Sequence, residues 1–210
     1  MATFTRRDLT LRGVVAVRIL GVDPGTQCVG YACLELPVAR PVRGVGEIPL
    51  ALRASNTVQV GAVGGEVRLV GFGALRLGGR STPLPRRLLS LVEQFRDLVG
   101  RFSPHEVALE EAFYGKSVQA ALRIGEARGV ILAESARSGL EVHQFSPARV
   151  KRCVTGRGNA SKEAVAELVA RQVDLGDAPA SRSRDATDAI GIALTRVEQR
   201  RSPMLGLLDG

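Results

Sequence analysis

Cysteine is scarce in this 210-residue chain: Cys28, Cys33 and Cys153 are an odd number with no metal-ligand spacing. That argues against a disulfide framework and a zinc site, and for a reducing cytoplasm as the location. Cys28 and Cys33 lie five apart in an expected strand, so their side chains point to opposite faces, and both read as packing residues. No apolar run approaches the ~20 residues that a membrane-spanning helix requires. The stretch Thr5-Arg6-Arg7-Asp8-Leu9 superficially resembles a twin-arginine export signal, but neither an uncharged apolar region nor a small-residue cleavage site follows. Residues 1–16 therefore read as a mobile extension, or as the result of a start site placed too early. There is no internal repeat, and six Phe and two Tyr are the whole aromatic complement. His105 and His143 are the two histidines, neither in an acidic motif, and lone histidines are more often structural than catalytic.

What is present is positive charge and aliphatic bulk. Lys and Arg outnumber Asp and Glu 29 to 21, a formal charge of +8, which favours a polyanionic partner such as nucleic acid over a merely basic, soluble surface. With 45% hydrophobic residues the length suits one domain, read as 17–200 with a tail at 201–210. Val17 to Val22 and Cys28 to Leu36 form an expected hairpin around Asp23-Pro24-Gly25-Thr26. Pro37 to Gly65 reads as an irregular insertion with a short β excursion near Thr57 to Val63, and Val67 to Leu77 closes a three-stranded antiparallel meander. Leu84, Leu88, Leu91, Val92, Phe95, Leu98, Val99 and Phe102 recur at three and four, predicting a helix from about Pro85 to Phe102. Then come a strand at Glu106 to Glu110, a helix from about Ser117 to Ser138 and a strand at Glu141 to Phe145. Pro147 opens a short helix, Ser161 caps another running to about Val173, Leu175 to Arg182 loops, and a final helix begins near Ser183. The order is α/β with a five-stranded mixed sheet flanked by helices.

Four acids stand where a metal-dependent hydrolase would place them. Asp23 ends one apolar strand, Glu110 ends another, and Asp185 and Asp188 are three apart on the final helix, their Cβ atoms ~5–6 Å apart on one face. Hard divalent ions take oxygen ligands, and two of them ~3.5–4 Å apart can stabilise both the attacking and the leaving oxygen of a phosphoryl displacement. Singly, Asp23 reads as a turn residue and Asp185 as a helix-start acid, whereas Glu110 ends a core strand, where an unpaired carboxylate is costly. Together the four favour catalysis, provided that Asp23 and Glu110 sit on adjacent strands.

The motifs are specific in their order. ILGVDPGT from Ile19 to Thr26 with Val29-Gly30-Tyr31, ALEEAF from Ala108 to Phe113, ALRIGEARG from Ala121 to Gly129 and DATDAIGIA from Asp185 to Ala193 resemble the RuvC family of bacterial Holliday junction resolvases. The resemblance implies a ribonuclease H-like fold and a homodimer that resolves four-way DNA junctions by paired symmetric nicks, in homologous recombination and repair. It implies Mg²⁺, two ions per site with Mn²⁺ as a substitute, bound by Asp23, Glu110, Asp185 and Asp188. The implied chemistry is attack of a metal-activated water on a backbone phosphate, leaving 5′-phosphate and 3′-hydroxyl ends. It also implies contact with the RuvA-RuvB branch-migration complex.

Arg149, Lys151, Arg152, Arg157 and Lys162 lie in a stretch without an acid, the clearest local positive field in the chain and a candidate phosphate-binding surface. Lys151 and Lys162 match DNA-contacting positions of the family pattern. Phe113 and Tyr114, just beyond Glu110, could stack on unpaired junction bases or cap the core. Phe113 matches the family position linked to junction bases, and Tyr114 stays open. The small residues from Ser117 to Gly129 fit either core or a dimer contact. Three alternatives remain: an actin-like ATPase, which needs a duplicated domain; a related nuclease acting on RNA or other branched DNA; and a junction binder without catalysis.

Overall fold

The computed structural model describes residues 14–39, 67–79, 81–111, 118–172 and 184–201. The expected β excursion at Thr57 to Val63, the loop at Leu175 to Arg182, Phe113 and Tyr114 lie outside them.

Five strands make one sheet: β1 (Val14–Asp23), β2 (Cys28–Ala39), β3 (Arg68–Arg76), β4 (Glu106–Glu110) and β5 (Glu141–Phe145), in the order β3-β2-β1-β4-β5. β1, β2 and β3 form the antiparallel meander, and β4 and β5 run parallel to β1. β1 begins three residues earlier than expected, with Val14 paired to Ala39, so Val14 to Ala16 are strand rather than extension and Pro37 to Ala39 are strand rather than insertion.

Alternation along β1 divides the core. Ile19 packs with Ala32, Leu34, Ala108 and Phe145 on one face, while Leu20 and Val22 pack with Cys33, Leu75, Val107 and Leu109 on the other. The second face is covered by α1 (Leu84–Phe102) and α2 (Val118–Arg137). α1 buries Leu91, Phe95, Leu98 and Phe102, the stripe its periodicity predicts, and stops at Ser103 in a left-handed conformation before Pro104. The first face carries α3 (Pro147–Thr155), α4 (Lys162–Gln172) and α5 (Arg184–Arg201). Ser146 caps α3 by accepting from the Arg149 N–H, Gly156 ends it at φ 75°, and the Ser161 hydroxyl accepts from the Ala164 N–H to open α4. Among the described residues, no helix is long and apolar enough to cross a membrane.

One ion-pair cluster ties α5 to the sheet. Glu106, only 3% exposed, accepts from Arg196 Nε at 2.8 Å and from Arg200, and His143 Nε2 lies 3.9 Å from the same carboxylate. Burial alone would raise the Glu106 pKa, but hydrogen bonds from Arg200 and Arg196 outweigh it and hold the carboxyl at about 2. The folded value is below the ordinary 4.5, so the contribution is complete above that value and is lost as pH falls from about 4.5 toward 2. Burial, then the Arg196 charge, lowers the His143 pKa, so the unfolded chain takes up this proton first and stability begins to fall below ~6.5. Glu106→Gln is expected to cost about 3 kcal/mol in chemical denaturation near neutral pH. That is the low end for buried pairs, because Arg196 and Arg200 keep 13% and 19% side-chain exposure. It also removes the stability loss between pH 4.5 and 2.

Candidate active site

The strand directions bring the first two acids together. Because β1 and β4 are parallel neighbours with Val22 opposite Leu109, their final residues, Asp23 and Glu110, end side by side at the carboxyl edge of the sheet, where open α/β sheets take ligands. Both project on the α5 side: Asp23 is two residues from Gly21 and four from Ile19, and Glu110 two from Ala108.

Glycines seat the helix that brings the other two. Gly21 and Gly30, the latter paired with Asp23, lie beneath α5. A Cβ on Gly30 would collide with the Asp185 carbonyl oxygen, and one on Gly21 with the Ala189 carbonyl oxygen and, at 2.8 Å, the Ala193 Cβ. Absent side chains therefore let the first half of α5 lie on the sheet backbone, with Ala189 and Ala193 as the matching small residues. Asp185 in the first turn then stands over the β1–β2 end, and Asp188, one turn on, shares a cavity of about 500 Å³ with Glu110.

Cys28 reports the same convergence. Its thiol is raised to about 11, first by burial, then by donating a hydrogen bond to Asp185 and by the Asp185 charge; Arg76 opposes this, and the Asp23 charge adds to it. Cys28 is therefore a site-lining group rather than the packing residue expected, whereas Cys33 is fully buried under α1 as expected. The signal was available in the alternation, since Cys28 is two residues before Gly30 and so shares the face of Asp23.

The basic residues divide. Lys151 lines the cavity with Glu110 and Asp188, while Arg149 and Arg152 line a neighbouring pocket with Glu111, and Arg157 is exposed on the loop after α3. Lys162 is the first residue of α4, which places its backbone only. Phe113 and Tyr114 lie outside the described residues.

A second acidic group needs separate treatment. Among the described residues, Glu106, Glu141 and His143 are the trio whose candidate ligand atoms come within 4.8 Å of one another. Two guanidiniums already neutralise Glu106, so this trio, at the far end of β4, reads as the ion-pair cluster described above. No three of the four predicted acids meet that distance. They still fit a hard divalent cation, which needs one or two carboxylates and fills the remaining positions with water and substrate oxygens. The donors offered are all carboxylate oxygens, and the Cys28 thiol stays protonated as a donor to Asp185.

Similarity to known proteins shows the family. The family model described as "Crossover junction endodeoxyribonuclease RuvC" matches residues 51–196, a range that holds Glu110, Asp185 and Asp188 but begins after Asp23. The chain is 36% identical to the RuvC of Chloroflexus aggregans over 178 residues, covering 85% of this chain and 91% of that protein. It is 31% identical to the RuvC of Magnetococcus marinus, covering 88% and 86%. Among solved structures, Thermus thermophilus RuvC in complex with a Holliday junction substrate superposes with a TM-score of 0.68 at 26% identity, covering 89% of this chain and 96% of that one. The yeast mitochondrial Holliday junction resolvase Ydc2, at 16% identity and a TM-score of 0.58, shares the fold. A family match across most of the chain, relatives above 30% identity along nearly their whole length and a ribonuclease H-like sheet in common place this chain in the RuvC family of crossover junction endodeoxyribonucleases.

Proposed function

We propose that the protein resolves four-way DNA junctions as a homodimer, by paired nicks at Asp23, Glu110, Asp185 and Asp188, in recombination and repair. The observation that carries this is the convergence of β1, β4 and α5, made close by Gly30 under Asp185. The four carboxylates would hold Mg²⁺ at the sheet edge. Mg²⁺ bound there would neutralise charge at the phosphate and make water easier to deprotonate, which is what lets it attack. Lys151, on the same cavity wall as Glu110 and Asp188, offsets the negative charge of the strand that enters. Arg149, Arg152 and Arg157 continue the positive surface beyond it, and with Lys162 at the start of α4 they would hold the flanking backbone without reading its sequence. Phe113, three residues past Glu110 in the sequence, would stack on a base at the crossover.

A twofold dimer suits a substrate with approximate twofold symmetry, because two identical sites can then cut matching strands. Val118 and Leu122 at the start of α2, 53% and 64% exposed, support a contact between copies there. The RuvA-RuvB complex is the expected partner in the cell. The test is to incubate the protein and Mg²⁺ with immobile and sequence-varied four-way junctions, with duplex DNA and RNA as competitors, and to map the cuts. The expected result is paired symmetric nicks with 5′-phosphate ends on the junction. Preferential cutting of RNA or simple duplex would overturn the reading.

A further inference from the structure

Arg128, in the middle of α2, is only 8% exposed, yet its guanidinium is half satisfied. Nη2 donates to the Gln144 side-chain oxygen, whereas Nη1 is buried with no hydrogen-bond partner. No ion pair to Arg128 is found among the described residues. Burial lowers its pKa, and the charges of Glu111 and Glu110 oppose that, so these acids act on it through space. A guanidinium stays charged in a protein, and leaving one of its donors buried and unpaired is costly in free energy. The Nη1 donor therefore lacks an acceptor that would offset its burial.

The group it touches borders a suitable space. Gln144 lines a pocket of about 250 Å³ with Glu111, Ser146, Ala148, Arg149 and Arg152. The pocket opens at the N-terminus of the nine-residue helix α3, whose first turn carries no acid. Arg149 and Arg152 line it with Glu111, and Arg128 lies behind Gln144, where the charges of Glu111 and Glu110 also reach it. Ser146 and Ala148 also line the cavity of Glu110, Asp188 and Lys151, so the two spaces share a wall. A strand with one phosphate at the acids would bring a neighbouring phosphate to this pocket.

We propose that the pocket is a second phosphate subsite, taking one backbone phosphate beside the one that is cut. Arg149 and Arg152 contact it, and Arg128 supplies positive field from behind Gln144. This rests on the proposed junction nuclease function and adds to it a fixed register of the strand.

The experiment uses junctions with single neutral methylphosphonates at successive positions around the cut, bound in Ca²⁺ to the wild type, Arg128→Gln and Arg152→Ala. In the wild type, one position next to the cut is expected to weaken binding about 10-fold, and each variant to lose that sensitivity along with about one unit of salt dependence. Circular dichroism melting checks that Arg128→Gln is folded; if it is not, Arg152→Ala on the exposed side of the pocket carries the test. Junction binding in which no position loses its effect in either variant overturns the subsite alone. Absence of any junction preference in the wild type overturns the nuclease reading and the subsite with it.

Discussion

Asp23→Asn is expected to lower junction cleavage by far more than 100-fold while leaving junction binding within a few-fold of the wild type. Loss of even an outer-shell partner at a metal site costs ~10–100-fold in affinity or activity, and Asp23 is proposed to touch the ion itself. Asparagine keeps the shape and one oxygen but removes the charge, at a strand end beside Glu110 and below the start of α5. Binding survives because the positive surface of α3 and its following loop is untouched, and backbone contacts supply most nonspecific affinity. The measurements are cleavage of a labelled junction over a range of Mg²⁺ and a mobility shift in Ca²⁺. Wild-type cleavage by the variant would remove Asp23 from the site.

Gly30→Ala is expected to separate the acids without altering any of them. The added methyl would collide with the Asp185 carbonyl oxygen, which is helix backbone and cannot turn aside as a side chain could. The start of α5 must lift, and Asp185 lifts with it. A displacement on the order of 1 Å in a site of this kind costs ~100-fold in rate. Overpacking of this sort costs about 1–3 kcal/mol, or a melting temperature lower by roughly 2–12 °C at this chain length. The diagnostic reading is a raised Mg²⁺ requirement in a protein that remains folded and still binds the junction. An unchanged Mg²⁺ dependence would mean that α5 is not seated through Gly30.

How much was legible in the chain depended on whether the signal was local. Glu106 to Glu110 and Glu141 to Phe145 were read to the residue, because short apolar runs between a proline or glycine and a new helix leave few alternatives. The stripe of α1, the opening of α3 at Pro147 and the cap at Ser161 were equally plain. The start of β1 was misjudged by three residues, since Val14 to Ala16 gain strand structure only from pairing with the far end of β2. Cys28 was misread because a cysteine in an apolar strand looks like packing until the face it occupies is known. Arg128 sits inside a motif that was recognised, but an arginine in a helix carries no sign of whether its charge is paired.

By itself the sequence determined the acids, their order, the alternation that gives each strand two faces, and the positive stretch after β5. Those follow from residue type and spacing, which act over a few positions. Tertiary structure decided which distant residues meet. The parallel register of β1 and β4 set Asp23 beside Glu110, and the glycine seat under α5 fixed the reach of Asp185 and Asp188. The packing of α2 behind β5 left the Arg128 Nη1 buried without a hydrogen-bond partner. Each of those depends on contacts between segments tens of residues apart, where excluded volume and desolvation, not local preference, choose the outcome.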